Sequence, residues 1–311
     1  MSLTARSTVK PFSLPAPASS ENATYYRENG YVIVENLIDP VLIDAVLRAL
    51  EDIKKSPTFI HYAQSIHRWI RPRLSAAGFL TESIENPTRH ANAPRLQEAV
   101  MNVLYSAPVS AALTDITGAP TFVTWQDMLF DRSTGTIDHQ DAWYLDTNPA
   151  GHLLGAWFAL EDITLESGPF HVYPQSHLFG KLSKEQFPNH DDFRNAITDF
   201  IERHQLQKKP ALLKKGTVLF WNSLTVHGAS SPLNEQHSRK SLTTHFYPLG
   251  YQRQGKTPLL VDLKTFVPTK NPRIFRVKPN AVRYTALGYI RYLLEKSTPK
   301  MDMNRARVEK S

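Results

Sequence analysis

The run Gly216-Thr217-Val218-Leu219-Phe220-Trp221-Asn222-Ser223-Leu224-Thr225-Val226-His227-Gly228 reads as a turn, a buried strand and a loop. A short apolar run behind a glycine turn suits a strand covered on both faces. His227 stands where the strand gives way to a loop, a usual place for function. Further on, Arg239 opens a second run, Arg239-Lys240-Ser241-Leu242-Thr243-Thr244-His245-Phe246-Tyr247. On a period of two, Arg239, Ser241, Thr243, His245 and Tyr247 share one face; Lys240, Leu242, Thr244 and Phe246 share the other. A polar face on an otherwise core-like strand implies a lined cavity. An arginine turned into it needs an anion, and its planar fork suits a carboxylate.

Outward from these runs, the chain after Gly118-Ala119-Pro120 is rich in short strands. Strands are expected near 121–130, 136–142, 152–160, 170–173, 217–221, 239–247 and 274–277. With no βαβ rhythm, they suggest a sandwich, barrel or jelly roll. Before them, Tyr31-Val32-Ile33-Val34 reads as a strand. Asp39-Pro40 then starts a helix, with Asp39 as cap and Pro40 in the first turn. Leu42, Val46, Ala49, Leu50 and Ile53 form its buried face, and Glu51 and Lys55 an i,i+4 pair. A helix over about 94–117 should break or kink at Pro108. The segment 178–206 reads as a polar insertion with two short helical pieces, and a last helix is expected around 280–295.

Composition narrows the classes. The 311 residues carry Lys+Arg 36 and Asp+Glu 29, a net charge of +7. Hydrophobic content of 41% with 21% charged residues excludes a wholly disordered or collagen-like chain. With Cys 0 there is no disulfide framework, iron–sulfur cluster or thiol nucleophile. No apolar run approaches the roughly 18 residues of a membrane span, and residues 1–20 lack a secretory h-region. A cytoplasmic protein without a membrane or nucleic-acid partner is expected, as a monomer or homodimer. The basic balance (pI near 9.4) is spread out, with a modest concentration at Lys296, Lys300, Arg305, Arg307 and Lys310. The expected organisation is a flexible tail over 1–22, one domain over 23–295 and a basic tail over 296–311. Within the domain, a helical part covers 39–117 and the β core covers 121–280.

The chemistry concentrates in Thr136-Ile137-Asp138-His139-Gln140-Asp141. On a strand, His139 and Asp141 present an imidazole and a carboxylate side by side while Gln140 points away. His227 is the candidate third ligand. Two histidines and one carboxylate make a face that binds Fe(II) and leaves positions open.

Three stretches carry a family resemblance. The first is Glu28-Asn29-Gly30-Tyr31-Val32-Ile33-Val34-Glu35-Asn36-Leu37-Ile38. The second runs from His139-Gln140-Asp141 through Gly155-Ala156-Trp157-Phe158-Ala159-Leu160-Glu161-Asp162 and Glu166-Ser167-Gly168-Pro169 to Tyr173-Pro174-Gln175-Ser176-His177. The third is Gly216 through Arg239. In this order they resemble the phytanoyl-CoA dioxygenase family of Fe(II)/2-oxoglutarate oxygenases.

The resemblance implies a mainly β protein with flanking helices, a double-stranded β-helix (jelly roll, cupin-like). It implies iron on His139, Asp141 and His227, with 2-oxoglutarate and O2 as co-substrates. Arg239 would hold the distal carboxylate of 2-oxoglutarate, Trp157 would share the cavity, and Thr136 and Ser230 would contact the co-substrate. The implied reaction hydroxylates an unactivated C–H of a small molecule and releases succinate and CO2; desaturation and cyclisation are variants. Halogenating relatives replace the carboxylate with a small residue, so Asp141 argues against halogenation and for hydroxylation, or for a desaturating or ring-forming variant. The sequence departs from the family at Gln175, where a glycine is usual, and its His-to-Arg interval is one residue longer.

The candidate substrate contacts are Trp69, Arg71, Arg73, Gln126, His171 and His245. Those in 61–89, with Arg89, lie in a region that in this family covers the barrel mouth and could read an anionic group. A solvated helix face is the plainer reading of the same residues. Glu161 reads better as a structural partner than as a catalyst, and Trp125, Phe158, Phe220 and Trp221 as core. Two other functions fit less of the sequence. A jelly roll binding metal for a structural or non-oxidative role gives Arg239 no use. A basic binding module lacks a clustered stripe with interleaved aromatics.

Overall fold

The computed structural model describes residues 19–254, 266–277 and 281–297. Along the chain come α1 (Glu21–Asn29), β1 (Tyr31–Val34), α2 (Pro40–Lys54), β2 (His61–Ala63), β3 (Arg68–Ile70), β4 (Ile84–Glu85), α3 (Pro94–Leu104), α4 (Ala107–Thr117), β5 (Phe122–Phe130) and β6 (Thr136–His139). Then follow α5 (Asp141–Tyr144), β7 (Thr147–Asn148), β8 (Leu154–Ala159), β9 (Phe170–Val172), α6 (His190–Arg203), β10 (Lys209–Pro210), β11 (Val218–Asn222) and β12 (His227–Ala229). The last are β13 (Ser241–Pro248), β14 (Gln252–Arg253), β15 (Phe266–Pro268), β16 (Ile274–Val277) and α7 (Ala281–Ser297).

Two sheets form the centre. The larger has the order β1-β11-β8-β13-β5-β16-β15, with β4 also paired to β5. The smaller has the order β10-β9-β12-β6. Alternation along the strands sorts the side chains. Leu154, Ala156 and Phe158 of β8, with Val218 and Phe220 of β11, pack against α2 and α3. Trp157, Ala159, Leu219 and Trp221 take the opposite face and meet Phe170 and Val172 of the small sheet. The result is a jelly roll with helices on the outside of its larger sheet.

The α2 helix starts as its sequence suggests: an Asp39 carboxylate oxygen accepts the Val41 N–H at 2.8 Å. Its most buried face is Ile43, Val46, Ala49, Leu50 and Ile53, with Leu42 only partly covered. Burying each of Ile43, Val46, Leu50 and Ile53 stabilises by roughly 1.5–3 kcal/mol. The expected Glu51–Lys55 pair is replaced by Glu51–Lys54 at 2.7 Å. Lys54 also reaches Asp131 just past β5 at 2.6 Å, tying helix to sheet.

Pro94–Thr117 is apolar enough, at a mean hydropathy of 1.2, to pass for a membrane span. It is two helices of 11 residues, α3 and α4, each burying one face, with Pro108 in the first turn of the second.

Four expectations need correction. The tail cannot extend to 22, because Ser20 caps α1 by accepting the Ala23 N–H. The strand expected over 136–142 ends at His139, and Asp141 opens a helical turn. In place of two helical pieces, 178–206 contains one 14-residue helix, α6, which buries Phe193, Ile197 and Phe200. The region 61–89, for which a solvated helix face is the plainer reading, instead holds the β2–β3 hairpin, since Ala63↔Arg68 and His61↔Ile70 pair across it. Residues 1–18 and the tail from Thr298, with Lys300, Arg305, Arg307 and Lys310, lie outside the described residues.

Candidate active site

His139 ends β6, and directly opposite it in the small sheet stands His227, the first residue of β12. Asp141 lies one turn beyond His139. The ligand-capable atoms of the three converge within 4.8 Å of one another. Asp141 Oδ1 lies 3.6 Å from His139 Nε2 and 3.5 Å from His227 Nε2.

The outer contacts orient this set. His139 Nδ1 sits 2.8 Å from the Ile137 carbonyl oxygen, and His227 Nδ1 sits 2.9 Å from that of Thr225. A carbonyl only accepts, so each Nδ1 donates and each Nε2 keeps its lone pair for a cation. The other Asp141 oxygen, Oδ2, accepts the Trp221 indole N–H at 2.9 Å and contacts His245 Nε2 at 3.2 Å. One carboxylate oxygen is thereby held back and the other is presented.

Gln140 points away, as alternation requires, and is buried. Its amide donates to the Gly180 and Leu224 carbonyls and accepts from the Leu182 N–H, fastening the turn that carries both ligands.

Electrostatics favour a cation here. Burial alone would push the Asp141 carboxyl up, but the surrounding His227, His245 and His139 hold it well below its ordinary range. Burial lowers His227, outweighing the attraction of Asp141, and favours its neutral, ligating form. Burial also opposes charge on His139, yet Asp141 beside it wins and raises it. A cation binding there competes with that proton.

Arg239 meets the expectation drawn from its strand. It is 2% exposed, and its Nε has no hydrogen-bond partner among the described residues. Its guanidinium lies 5.5 Å from the Trp157 ring centre and 5.2 Å from that of Phe130. Burial pushes it down to about 10, with Glu161 only partly offsetting this. The Trp157 Nε1 is likewise buried without a partner. Two orphaned donors on one wall make a place for an acceptor-rich anion. Glu161 is structural, as expected: it accepts from the Ser238 hydroxyl, the Lys240 N–H and the Lys240 ammonium.

Other sites read from the sequence are distributed differently. Thr136 pairs with Ala229 across an irregularity in β6, which brings it to the side of the sheet that His139 and His227 share. Ser230 is tied through its backbone, donating to Pro169 and accepting from the Ser133 hydroxyl.

His171 points away from the ligand set, because Phe170 and Val172 take the inner face of β9; it pairs with Asp138 at 2.5 Å. His245 turns its Nε2 to Asp141, which makes it a support of the ligand set. Trp69 is buried among Tyr62, His90 and Tyr284. Arg71 and Arg73 are exposed, with Arg71 lying over Tyr292 of α7. Gln126 does line a cavity, described below.

The sequence reading missed Trp221 as a holder of Asp141, taking it for core. A signal was present: Gly155 interrupts an apolar strand, which often marks a close approach. A Cβ at Gly155 would meet the Trp221 ring at 2.1 Å.

Known proteins agree with this architecture. A protein from Caenorhabditis briggsae, "Phytanoyl-CoA dioxygenase domain-containing protein 1 homolog", is 29% identical over 115 residues, 35% of this chain and 39% of that protein. The chain thus spans about two-fifths of that relative's length. The Bos taurus "Phytanoyl-CoA dioxygenase, peroxisomal" is 22% identical over 240 residues, 73% of this chain and 68% of that protein. Among solved structures, the non-heme alpha ketoglutarate dependent carbocyclase SnoK from nogalamycin biosynthesis superposes with a TM-score of 0.54 at 19% identity. That superposition covers 74% of this chain and 84% of SnoK and shows the shared fold. The family model described as Phytanoyl-CoA dioxygenase (PhyH) matches residues 26–241, well over half of the sequence, and this chain belongs to that family.

Proposed function

We propose that the chain is an Fe(II)- and 2-oxoglutarate-dependent dioxygenase that hydroxylates an unactivated C–H bond of a small molecule. The observation that carries this is the convergence of His139 Nε2, His227 Nε2 and Asp141 Oδ1, each oriented by a bond at its other end. Two imidazoles and one carboxylate suit ferrous iron and leave coordination positions for others. When bound, iron and 2-oxoglutarate supply the oxidant, with O2 reduced and the co-substrate decarboxylated to succinate and CO2.

The chain's own residues position and shield. Arg239, buried and with its Nε unpaired among the described residues, would take the distal carboxylate of 2-oxoglutarate through its fork. Trp157 and Phe170, stacked at 5.4 Å, keep water from that wall. Trp221 and His245 engage Asp141 Oδ2, so that Oδ1 would be the oxygen offered to a bound metal. SnoK is a carbocyclase, so related folds serve other oxidations. The retained Asp141 argues against halogenation and is compatible with hydroxylation, desaturation or ring formation.

The test is succinate release with iron and 2-oxoglutarate, compared between the natural chain and Arg239→Gln. Losing the partner of a desolvated carboxylate costs roughly 2–5 kcal/mol, on the order of 30- to several-thousand-fold in affinity. The KM for 2-oxoglutarate should rise by that range while iron content stays near normal, and lysine should rescue only partly. An unchanged KM in the glutamine variant would remove Arg239 as the anchor.

A further inference from the structure

A cavity of about 530 Å3 opens beside the ligand set, within the size range of small-molecule sites. It forms where β5 carries one residue more than β13: Thr244 pairs with Asp127 and Phe246 with Thr124. The extra residue falls at Trp125-Gln126, and both line the cavity. Tyr144, three residues after Asp141, is also on the wall, with its ring 5.6 Å from that of His139. The cavity therefore adjoins the reactive centre through one side chain.

Its charge is uneven. Arg89, Arg253 and Arg276 line it. Among the described residues no carboxylate oxygen lies within 4.0 Å of any of the three. Among the described residues Arg276 Nε is buried with no hydrogen-bond partner, and its Nη1 donates to the Met101 sulfur. Arg253 is already aimed: its Nε donates to the Tyr247 hydroxyl at 3.1 Å, and the guanidinium stacks 4.3 Å from the Trp125 ring centre. The two carboxylates on the wall, Asp127 and Glu85, bond to neutral neighbours that line the same cavity. Asp127 accepts from the Thr88 N–H and hydroxyl, and Glu85 accepts from the Asn86 and Gln126 amides.

We propose that this cavity is the substrate site and that it takes a small molecule bearing a carboxylate or phosphate. Arg276 and Arg253 hold the anionic group, and the rest of the molecule extends past Tyr144 toward His139, Asp141 and His227. This rests on the oxygenase reading for what happens to the molecule, but not for its binding. Recognition is separate from the co-substrate wall, because Arg239 lies on the face with Trp157 and Phe130 and does not line this cavity.

The probes are 3-phenylpropionate, 2-phenylethyl phosphate and the neutral 3-phenylpropionamide, titrated into the full chain by ligand-observed NMR without iron or 2-oxoglutarate. At least one anion should bind on the order of tenfold or more tighter than the amide, and the ratio of the two anions tells carboxylate from phosphate. Arg276→Gln should erase the preference, while Arg239→Gln should leave it intact. If circular dichroism shows Arg276→Gln unfolded, Arg253→Gln and Arg276→Lys replace it, the first weakening the anion and the second partly retaining it. Equal binding of acid, phosphate and amide would overturn the proposal, as would a preference lost only in Arg239→Gln. Turnover is not needed, so absent succinate release would sink the oxygenase reading and leave this result standing.

Discussion

The Trp221 indole N–H reaches Asp141 Oδ2 because Gly155 faces it across the β8–β11 pair. Any side chain at 155 would occupy the space of that ring. A neutral donor on the non-ligating oxygen sets the carboxylate's rotation, and outer-shell partners of this kind typically carry 10- to 100-fold in metal affinity. Trp221→Phe keeps a ring against Phe170 and His227 but removes the donor. Its affinity for Fe(II) or Co(II), measured by anaerobic calorimetry, should fall by roughly 10- to 100-fold while the far-UV spectrum is unchanged. Natural affinity in this variant would assign the placement of Asp141 to His245 alone. Gln175 shows the same scale in the backbone. It holds φ +66°, the left-handed conformation that the glycine usual at this turn adopts freely, so the turn survives the departure from the family pattern.

At the scale of elements, the β2–β3 hairpin and the turn after β4 enclose two histidines. His61 stacks on Phe59, and His90 packs against Phe59 and Trp69. Among the described residues no side chain hydrogen-bonds either ring nitrogen of His61. Burial pushes His61 down to about 3 and His90 to about 4. The unfolded chain, with values near 6.5, takes up protons that the folded chain refuses. Their contribution is full above about pH 6.5 and is lost as pH falls toward 3–4. Asp127 works in the opposite sense: burial pushes it up to about 6, so the folded chain is favoured by protonation there. Comparing variants separates the two. In guanidinium melts from pH 4.5 to 6, His61→Phe should lower the slope of stability against pH by roughly 1.4 kcal/mol per pH unit relative to the natural chain. Identical slopes would mean that His61 stays accessible to protons when folded.

Across the whole molecule, the last helix returns to close the first third of the chain. Helix α7 lies on β3: Tyr284 meets the Trp69 ring at 5.2 Å, and Arg68 pairs with Glu295 at 3.2 Å. The Thr285 hydroxyl accepts the Ala91 N–H at 3.0 Å. Gly288 is where helix and indole touch, since a Cβ there would stand 2.5 Å from the Trp69 ring. Replacing a mid-helix glycine with another residue ordinarily gains up to about 1 kcal/mol. Overpacking costs about 1–3 kcal/mol, and valine adds a β-branched side chain where no space exists. Gly288→Val should therefore destabilise, and hydrogen exchange should speed up in α7 and β2–β3 while β8, β11 and β13 keep their protection. Uniform loss across both sheets would show that α7 is part of the central folding unit.

Local patterns carried much of this protein. Asp39-Pro40 specifies its helix start, a glycine turn and an apolar run specify β11, and period two places His245 on the inner face of β13 and Arg239 on the same side two residues before the strand begins. The candidate metal ligands were legible because two lie two residues apart and the third comes a short loop after β11, where it opens β12. What surrounds them was not. Trp221 and His245 reach Asp141 from 80 and 104 residues away, and no short-range periodicity encodes such a meeting. His171 has the composition of a site residue, and only the burial of Phe170 and Val172 turns it outward. Arg71 and Arg89 look alike in sequence, yet the packing of α7 leaves Arg71 over Tyr292 and Arg89 on the cavity wall. The cavity itself arises from one extra residue in β5 relative to β13. Strand and helix identity follow from interactions between near neighbours. The lining of a cavity depends on which distant segments pack together, and that is decided only when the whole core is buried.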